Sequence, residues 1–160
     1  NMHSLCENYI TGKNPVEPTT EPLKTMFDKF KKFWKKRNFE IVETEKTYYS
    51  DELDVCGTLD VLVKRKGKIG ILDFKTSKDF YPDMPVQIHT YKKLVEDSTK
   101  HKIEFLAVIN IPKEPVKDVS IRFFDIKPRY LKAFKACKYL NNVEEDFKKR
   151  NEEYNKMRSK

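Results

Sequence analysis

The sequence has no apolar stretch long enough to cross a membrane. A membrane-spanning helix needs roughly 20 predominantly apolar residues, and charged residues interrupt every segment of the 160-residue chain well before that length. The first residues also lack the basic-then-apolar order of a secretion signal. We therefore expect neither a membrane protein nor a secreted one.

Cysteine is scarce and widely spaced. Cys6, Cys56 and Cys137 are odd in number and form no C-x-x-C pair, which argues against a disulfide framework and against a structural zinc site. Internal repeats and low-complexity tracts are also absent. We expect one domain over residues 1–160 in a reducing, intracellular compartment.

Positive charge is in excess. The chain has 33 lysines and arginines against 25 acidic residues, a formal net charge of +8, and the lysines are spread over most segments. Each phosphate that Lys or Arg neutralises releases condensed counterions, so such a chain favours a polyanionic partner. Many basic proteins nevertheless bind no nucleic acid, so charge alone leaves the partner open.

Hydrophobic periodicity predicts helices on both sides of a run of strands. The second helix begins at Glu21 behind a Thr20 cap, and its apolar residues recur at steps of three and four. Pro128 suits the start of the last helix, and we expect the turns after Lys148 either to fray or to project into solvent. The buried face of the second helix is predicted to contain Leu23, Met26, Phe27, Phe30, Phe33 and Trp34.

Three consecutive strands are predicted in the first half of the chain, at 39–49, 55–64 and 68–76, with a tight turn at Lys66-Gly67. The order of elements implies a central mixed β-sheet flanked by α-helices, which is an α/β fold. The remaining predicted elements are helices at 3–11 and 86–97 and strands at 103–111 and 120–126.

Two acids and a lysine are predicted to converge on this sheet. Asp73 and Lys75 are two apart on one strand and share a face, and Asp60 lies on the neighbouring strand. Charge among apolar strand residues must be paired or bind a metal, and carboxylates suit Mg²⁺ or Mn²⁺. A metal there would support hydrolysis at phosphorus, with Lys75 orienting water or neutralising charge. The alternative is a plain ion pair on a solvated face.

Gln87 and Tyr91 are four apart in the helix after the third strand and therefore share one helical face. An amide and a phenol there can bond phosphate or stack on a base. The alternative for Tyr91 is a place in the core. The aromatic residues Tyr48, Tyr49, Phe80 and Tyr81 are further candidates for stacking on unpaired bases.

The order G-x-x-D at 57–60, D-x-K at 73–75 and Q-x-x-x-Y at 87–91 resembles the RecB-like branch of the PD-(D/E)xK nucleases. That superfamily has a restriction-endonuclease-like core. The branch includes phage-type exonucleases, the nuclease domains of RecB and AddB, and a mitochondrial exonuclease. Three cysteines cannot supply the four-cysteine iron–sulfur cluster of some relatives, so a phage-type or stand-alone enzyme fits better. Asp73 stands where many members have Glu.

The resemblance implies roles for individual residues. Asp60, Asp73 and Lys75 would form the catalytic centre, with Gln87 and Tyr91 beside it holding the substrate strand. The metal, Mg²⁺ or Mn²⁺, would be held by Asp60 and Asp73 together with His3 and the backbone carbonyl of Phe74. His3 lies in a pattern similar to H-x-x-x-E-x-Y, although it could instead be an exposed terminal histidine. Because the chain starts at Asn1, we also expect natural residues before it.

The function implied is a divalent-metal-dependent DNA nuclease, an exonuclease acting on ends or single strands in repair or recombination. We expect DNA as its partner, with a recombination or replication protein as a second. The expected location is the cytoplasm of a bacterium or a phage-infected host, with mitochondria as an alternative. Two other interpretations stay open: a catalytically inert nucleic-acid-binding subunit of a repair or packaging complex, and a sequence-specific endonuclease.

Overall fold

The computed structural model describes residues 1–159 and divides the chain into two compact units, Asn1–Ile126 and Lys127–Lys160. The second unit contains a single helix, α4 (Pro128–Arg158). The turns after Lys148 do not fray, since the helix continues for a further ten residues to Arg158, and their side chains are exposed to solvent as the second alternative predicted. The first unit holds the sheet and both hydrophobic clusters. Its elements are α1 (Met2–Ile10), α2 (Leu23–Lys35), β1 (Glu40–Ser50), β2 (Val55–Arg65), β3 (Lys68–Lys75), α3 (Asp83–Ser98), β4 (Ile103–Asn110) and β5 (Ser120–Phe124).

The five strands form one mixed sheet in the order β1-β2-β3-β4-β5. Only β3 and β4 pair in parallel, and the other neighbours are antiparallel. The parallel pair needs a crossover, which α3 supplies. The fold prediction of an α/β protein with a central mixed sheet flanked by helices is confirmed.

Helices cover the two faces of the sheet. On one face α1 and α2 pack against the strands, with Met26, Phe27 and Phe30 of α2 fully or nearly fully buried. On the other face α3 contributes Ile88 and Leu94 to a second cluster. The predicted core face of α2 is therefore confirmed, with Leu23, Phe33 and Trp34 half-buried at its margin.

Two helix starts differ from the predictions. Thr20 does not cap α2: its carbonyl accepts the Lys24 N–H, and the carboxylate of Glu21 accepts the Thr25 N–H at 3.2 Å. The third helix begins at Asp83, three residues before the predicted Val86. Pro85 then lies in the first turn, where its missing N–H costs nothing.

Candidate active site

Strand β2 changes face at Asp60. Leu59 packs in the α3-side cluster and Val61 in the α1/α2-side cluster, although residues two apart on a regular strand share a face. Opposite this point Glu45 of β1 has a positive φ of 49°, and the ladder pairs Thr44 with Val61 and Lys46 with Leu59. Such irregularities re-aim side chains, and this one sets the direction of the Asp60 carboxylate. Glu45 itself is exposed.

Asp60 lies beside the end of β3. The β2–β3 ladder ends at the pair Val61–Leu72, so Asp60 and Asp73 lie directly beyond it at the same end of the sheet. The Phe74 backbone N–H donates to Asp60 Oδ2 at 2.7 Å. The carboxylate therefore takes the place of a backbone partner where the ladder stops.

A chain of polar contacts runs from β3 to α3. Lys75 Nζ lies 2.8 Å from Asp73 Oδ2 and donates to Gln87 Oε1 at 2.7 Å. Gln87 Nε2 in turn donates to the Tyr91 hydroxyl at 3.0 Å. The structure thus brings together Asp60, Asp73, Lys75, Gln87 and Tyr91, the five side chains that the motifs singled out.

Asp73 is buried, with 4% of its surface exposed. The Lys75 ammonium is within ion-pair distance of Oδ2, but its approach lacks hydrogen-bond geometry. Oδ2 therefore has no hydrogen-bond partner among residues 1–159. The Lys75 ammonium compensates the charge of this buried carboxylate, and Oδ2 keeps acceptor capacity for a further donor or cation.

Electrostatics at the site disfavour two ionised carboxylates. Burial, and after it the negative charge of Asp73, raise the pKa of Asp60 to about 6, against lowering by the Phe74 N–H, His3 and Lys75. Burial raises the pKa of Asp73 as well, and the nearby Lys75 opposes that rise. The two acids together exceed the single lysine in charge, so the site favours a cation.

His3 reaches the same place from α1. Its Nε2 donates to the Phe74 carbonyl oxygen at 2.7 Å, so the two additional ligands implied by the resemblance contact each other. The position of His3 is stabilised by Asn1, whose side chain caps α1 by accepting the Ser4 N–H at 3.2 Å. Metal ligation by His3 Nε2 would require this nitrogen to give up its proton and its bond to Phe74.

The site contains hard oxygen donors. In the part of the chain that the structure describes, no group of three or more His, Cys, Asp and Glu side chains is placed to hold a metal ion, and this includes His3 with Asp60 and Asp73. Mg²⁺ keeps several waters and takes one or two carboxylates. Asp60, Asp73 and the Phe74 carbonyl supply hard oxygen atoms of that kind.

Asn110 lies beside the site and is not among the residues that the sequence motifs singled out. Asn110 is buried and pairs with Lys75 in the parallel ladder. Its Oδ1 accepts the Ser77 N–H at 3.1 Å, and its Nδ2 donates to the Ser77 carbonyl at 3.0 Å. It therefore fixes the chain that leaves β3 after Lys75. The sequence feature that could have identified Asn110 is a single amide side chain at the end of an otherwise apolar strand.

The aromatic residues proposed for stacking have different environments. Tyr48 is buried, 4% exposed, and its hydroxyl donates to Glu43, so the expectation that it stacks on bases is wrong. Tyr49 and Tyr81 are about half exposed at 47% and 46%. Phe80 is half-buried and lines a cavity close to Asn110.

Comparison with known proteins supports the fold. No family model and no curated protein matches the chain. Among solved structures, the chain is similar to the crystal structure of a proposed exonuclease from Eubacterium rectale, with 13% sequence identity and a TM-score of 0.55. The match covers 82% of this chain and 60% of that one. At this identity the likeness shows a shared fold, which is that of a proposed nuclease.

The structure adds one finding on membrane association. Within residues 1–159, none of the helices combines the length and the apolar character that crossing a bilayer requires.

Proposed function

We propose that the protein is a divalent-metal-dependent DNA nuclease of the PD-(D/E)xK type that acts as an exonuclease on ends or single strands. The observation that carries the proposal is the convergence of Asp60, Asp73 and Lys75 at one end of the sheet, where the buried Asp73 carboxylate lies 2.8 Å from the Lys75 ammonium and close enough to Asp60 to raise its pKa. The fold shared with a proposed exonuclease is consistent with it. The RecB-like motif order is the further reason for the assignment.

Each residue has a defined task in this proposal. Asp60 and Asp73 would hold Mg²⁺ or Mn²⁺ together with the Phe74 carbonyl, and His3 is an additional ligand once it releases that carbonyl. The bound ion would polarise a phosphoryl oxygen and lower the pKa of a coordinated water. Lys75 places a positive charge beside Asp73, where it can orient the attacking water and neutralise charge in the transition state.

Gln87 and Tyr91 act on the position of Lys75 and of the substrate. Gln87 Oε1 accepts from Lys75 Nζ, which restricts the ammonium to one orientation. The Gln87 amide and the Tyr91 hydroxyl lie next to it and can bond a phosphate oxygen. A recombination or replication protein is proposed as a partner of the enzyme.

Cleavage of end-labelled single- and double-stranded DNA with Mg²⁺, Mn²⁺ or EDTA tests the proposal. The variants are Lys75→Ala and the isosteric Asp73→Asn, with Lys68→Ala as the control because Lys68 is an exposed lysine at the other end of the same strand. We expect metal-dependent cutting that falls at least about 100-fold in both site variants and is retained in the control.

Circular dichroism must show that each variant is folded. A folded wild type that binds DNA but does not cut it with either metal would contradict the nuclease and favour the alternative function, an inert nucleic-acid-binding subunit of a repair or packaging complex.

A further inference from the structure

A basic cavity lies along α2, away from the motif residues. Its volume is ≈ 340 Å³, and its lining includes the cationic side chains of Lys29, Lys32, Lys36 and Arg37 together with the Phe33 ring. The carboxylate in the lining, Asp118, lies 3.5 Å from Lys29 Nζ. Three cations are therefore left without a compensating acid in the cavity wall.

Of these cations, Arg37 gives the clearest indication of what the cavity would bind. Its guanidinium lies 4.4 Å from the centroid of the Phe33 ring, and its Nε is buried without a hydrogen-bond partner among residues 1–159. A buried donor on a permanently charged group is costly unless an acceptor reaches it. Phosphate oxygens are the acceptors that best match the planar guanidinium.

Lys32 and Lys36 lie on the same helix face and are exposed. In the described chain neither forms an ion pair or a side-chain hydrogen bond. Lys29 has a different task, since its Nζ donates to the carbonyls of Pro115 and Lys117 at 2.5 and 2.6 Å. It thereby holds the β4–β5 loop against α2, while the other two lysines are available to a ligand.

A second cavity adjoins this surface. Its volume is ≈ 320 Å³, and its lining includes Lys78, Phe80, Asn110 and Lys117. It shares Asp118 with the first cavity. Asn110 is the ladder partner of Lys75, so this cavity begins one strand away from the catalytic lysine.

We propose that the two cavities form one groove, here called the α2 groove, that binds a single strand of DNA as it leads to the Asp60–Asp73–Lys75 site. Arg37, Lys32 and Lys36 contact phosphates, and the Arg37 guanidinium, which lies over the Phe33 ring, offers its outer face to an unpaired base. A single strand is favoured over a duplex because a guanidinium plane stacks on bases that are not already paired and stacked. This inference rests on the proposed function and names the substrate form and its path.

Equilibrium binding in EDTA tests the groove separately from catalysis. The probe is a fluorescent single-stranded oligonucleotide of about 16 nucleotides, which spans more than one site of the size typical for such grooves. The variant is Lys32→Gln/Lys36→Gln, which leaves the packing of Arg37 on Phe33 intact. The control is Lys100→Gln/Lys102→Gln, which removes the same charge from two exposed lysines ahead of β4.

We expect the groove variant to weaken binding about tenfold or more at low salt, and the control to change it less than about twofold. The slope of log Kd against log salt should fall by about 1.4, the value for two lost phosphate contacts on a single strand. Equal effects of the groove and control variants would overturn the proposal. The proposal would also be overturned if a blunt duplex bound the wild type as tightly as the single strand does and lost the same affinity in the groove variant.

The two proposals fail in different ways. If the wild type cuts DNA with metal but the groove variant binds like the control, the nuclease stands and the groove is wrong. If the groove variant loses affinity and salt dependence while the wild type cuts nothing, the groove stands and the nuclease is wrong. A wild type that does not bind the single strand overturns the groove.

Discussion

At the residue scale, the candidate site departs from regular strand geometry at Asp60. The change of face between Leu59 and Val61 places a carboxylate among apolar residues, and burial raises its pKa to about 6. Proteins accept such local violations mainly where a function requires them. In the absence of metal, the charged form of Asp60 is therefore destabilising.

The pH dependence of stability follows from this pKa. Folded Asp60 keeps its proton up to pH about 6, whereas the unfolded chain loses it near pH 3.9. Between these values the folded state binds more protons, so the free energy of unfolding falls as pH rises through the window. The loss from this group is complete above pH 6 and amounts to at most about 3 kcal/mol.

We predict that Asp60→Asn is more stable than the wild type by about 1–3 kcal/mol at pH 7.5 in EDTA. The amide oxygen can still accept the Phe74 N–H, so the fold keeps this bond. Urea unfolding at pH 7.5 and pH 4 measures the difference, which should nearly vanish at the lower pH. Asp51→Asn, an exposed control, should show no such pattern. A less stable Asp60→Asn at pH 7.5 would contradict the interpretation.

At the scale of elements, local sequence signals located most of the sheet. The predicted turn at Lys66-Gly67 has φ values of 50° and 77°, both positive as a type I′ hairpin requires. The starts of α2 and α3 were predicted less well, because a proline next to each start allows more than one capping arrangement. Strand β5 ends at Phe124, two residues earlier than predicted.

Two glycines of the β2–β3 hairpin are required for different reasons. At Gly67 the backbone lies in the left-handed region with nothing within 4 Å of an added Cβ. At Gly70 the space is filled, because an added Cβ would lie 2.2 Å from the Phe105 ring. Gly67 is therefore required for its left-handed backbone conformation, and Gly70 is required because a side chain would collide with Phe105.

We predict that Gly67→Ala destabilises the protein by about 1 kcal/mol through backbone strain, and Gly70→Ala by about 1–3 kcal/mol through overpacking. A double-mutant cycle separates the causes. In a Phe105→Ala background the cost of Gly70→Ala should largely disappear, whereas the cost of Gly67→Ala should be unchanged. Equal behaviour of the two glycines in both backgrounds would refute the distinction.

At the scale of the whole molecule, the core is confined to the first unit. Both hydrophobic clusters, the sheet and all the candidate site residues lie within Asn1–Ile126. Across residues 128–158 no side chain of α4 is buried. The prediction of one domain over residues 1–160 stays a prediction, and a truncation tests it directly.

We predict that a chain ending at Ile126 folds cooperatively, with a melting temperature within about 5 °C of the full chain, since ΔΔG values near 1 kcal/mol shift the melting temperature of domains this size by only a few degrees. Far-UV circular dichroism should lose helical signal while thermal unfolding keeps a single transition. An unfolded or molten fragment would show instead that α4 is required for the fold.

The sequence by itself determined which residues form the candidate site and which elements hold them. Strand alternation placed Asp73 and Lys75 on one face, helical spacing paired Gln87 with Tyr91, and the order of the motifs singled out Asp60 along with these four. The strand and helix signals are local, since they depend on side-chain direction within a single element.

Only the tertiary structure decided how those elements meet. Two of its features are hydrogen bonds between different elements: His3 to the Phe74 carbonyl, and Asn110 to Ser77. Two others depend on packing between elements: the change of face of β2 at Asp60 and the burial of Tyr48. The α2 groove likewise arises where the β4–β5 loop packs on α2. No local pattern encodes these contacts, because each depends on how distant segments pack around the same sheet.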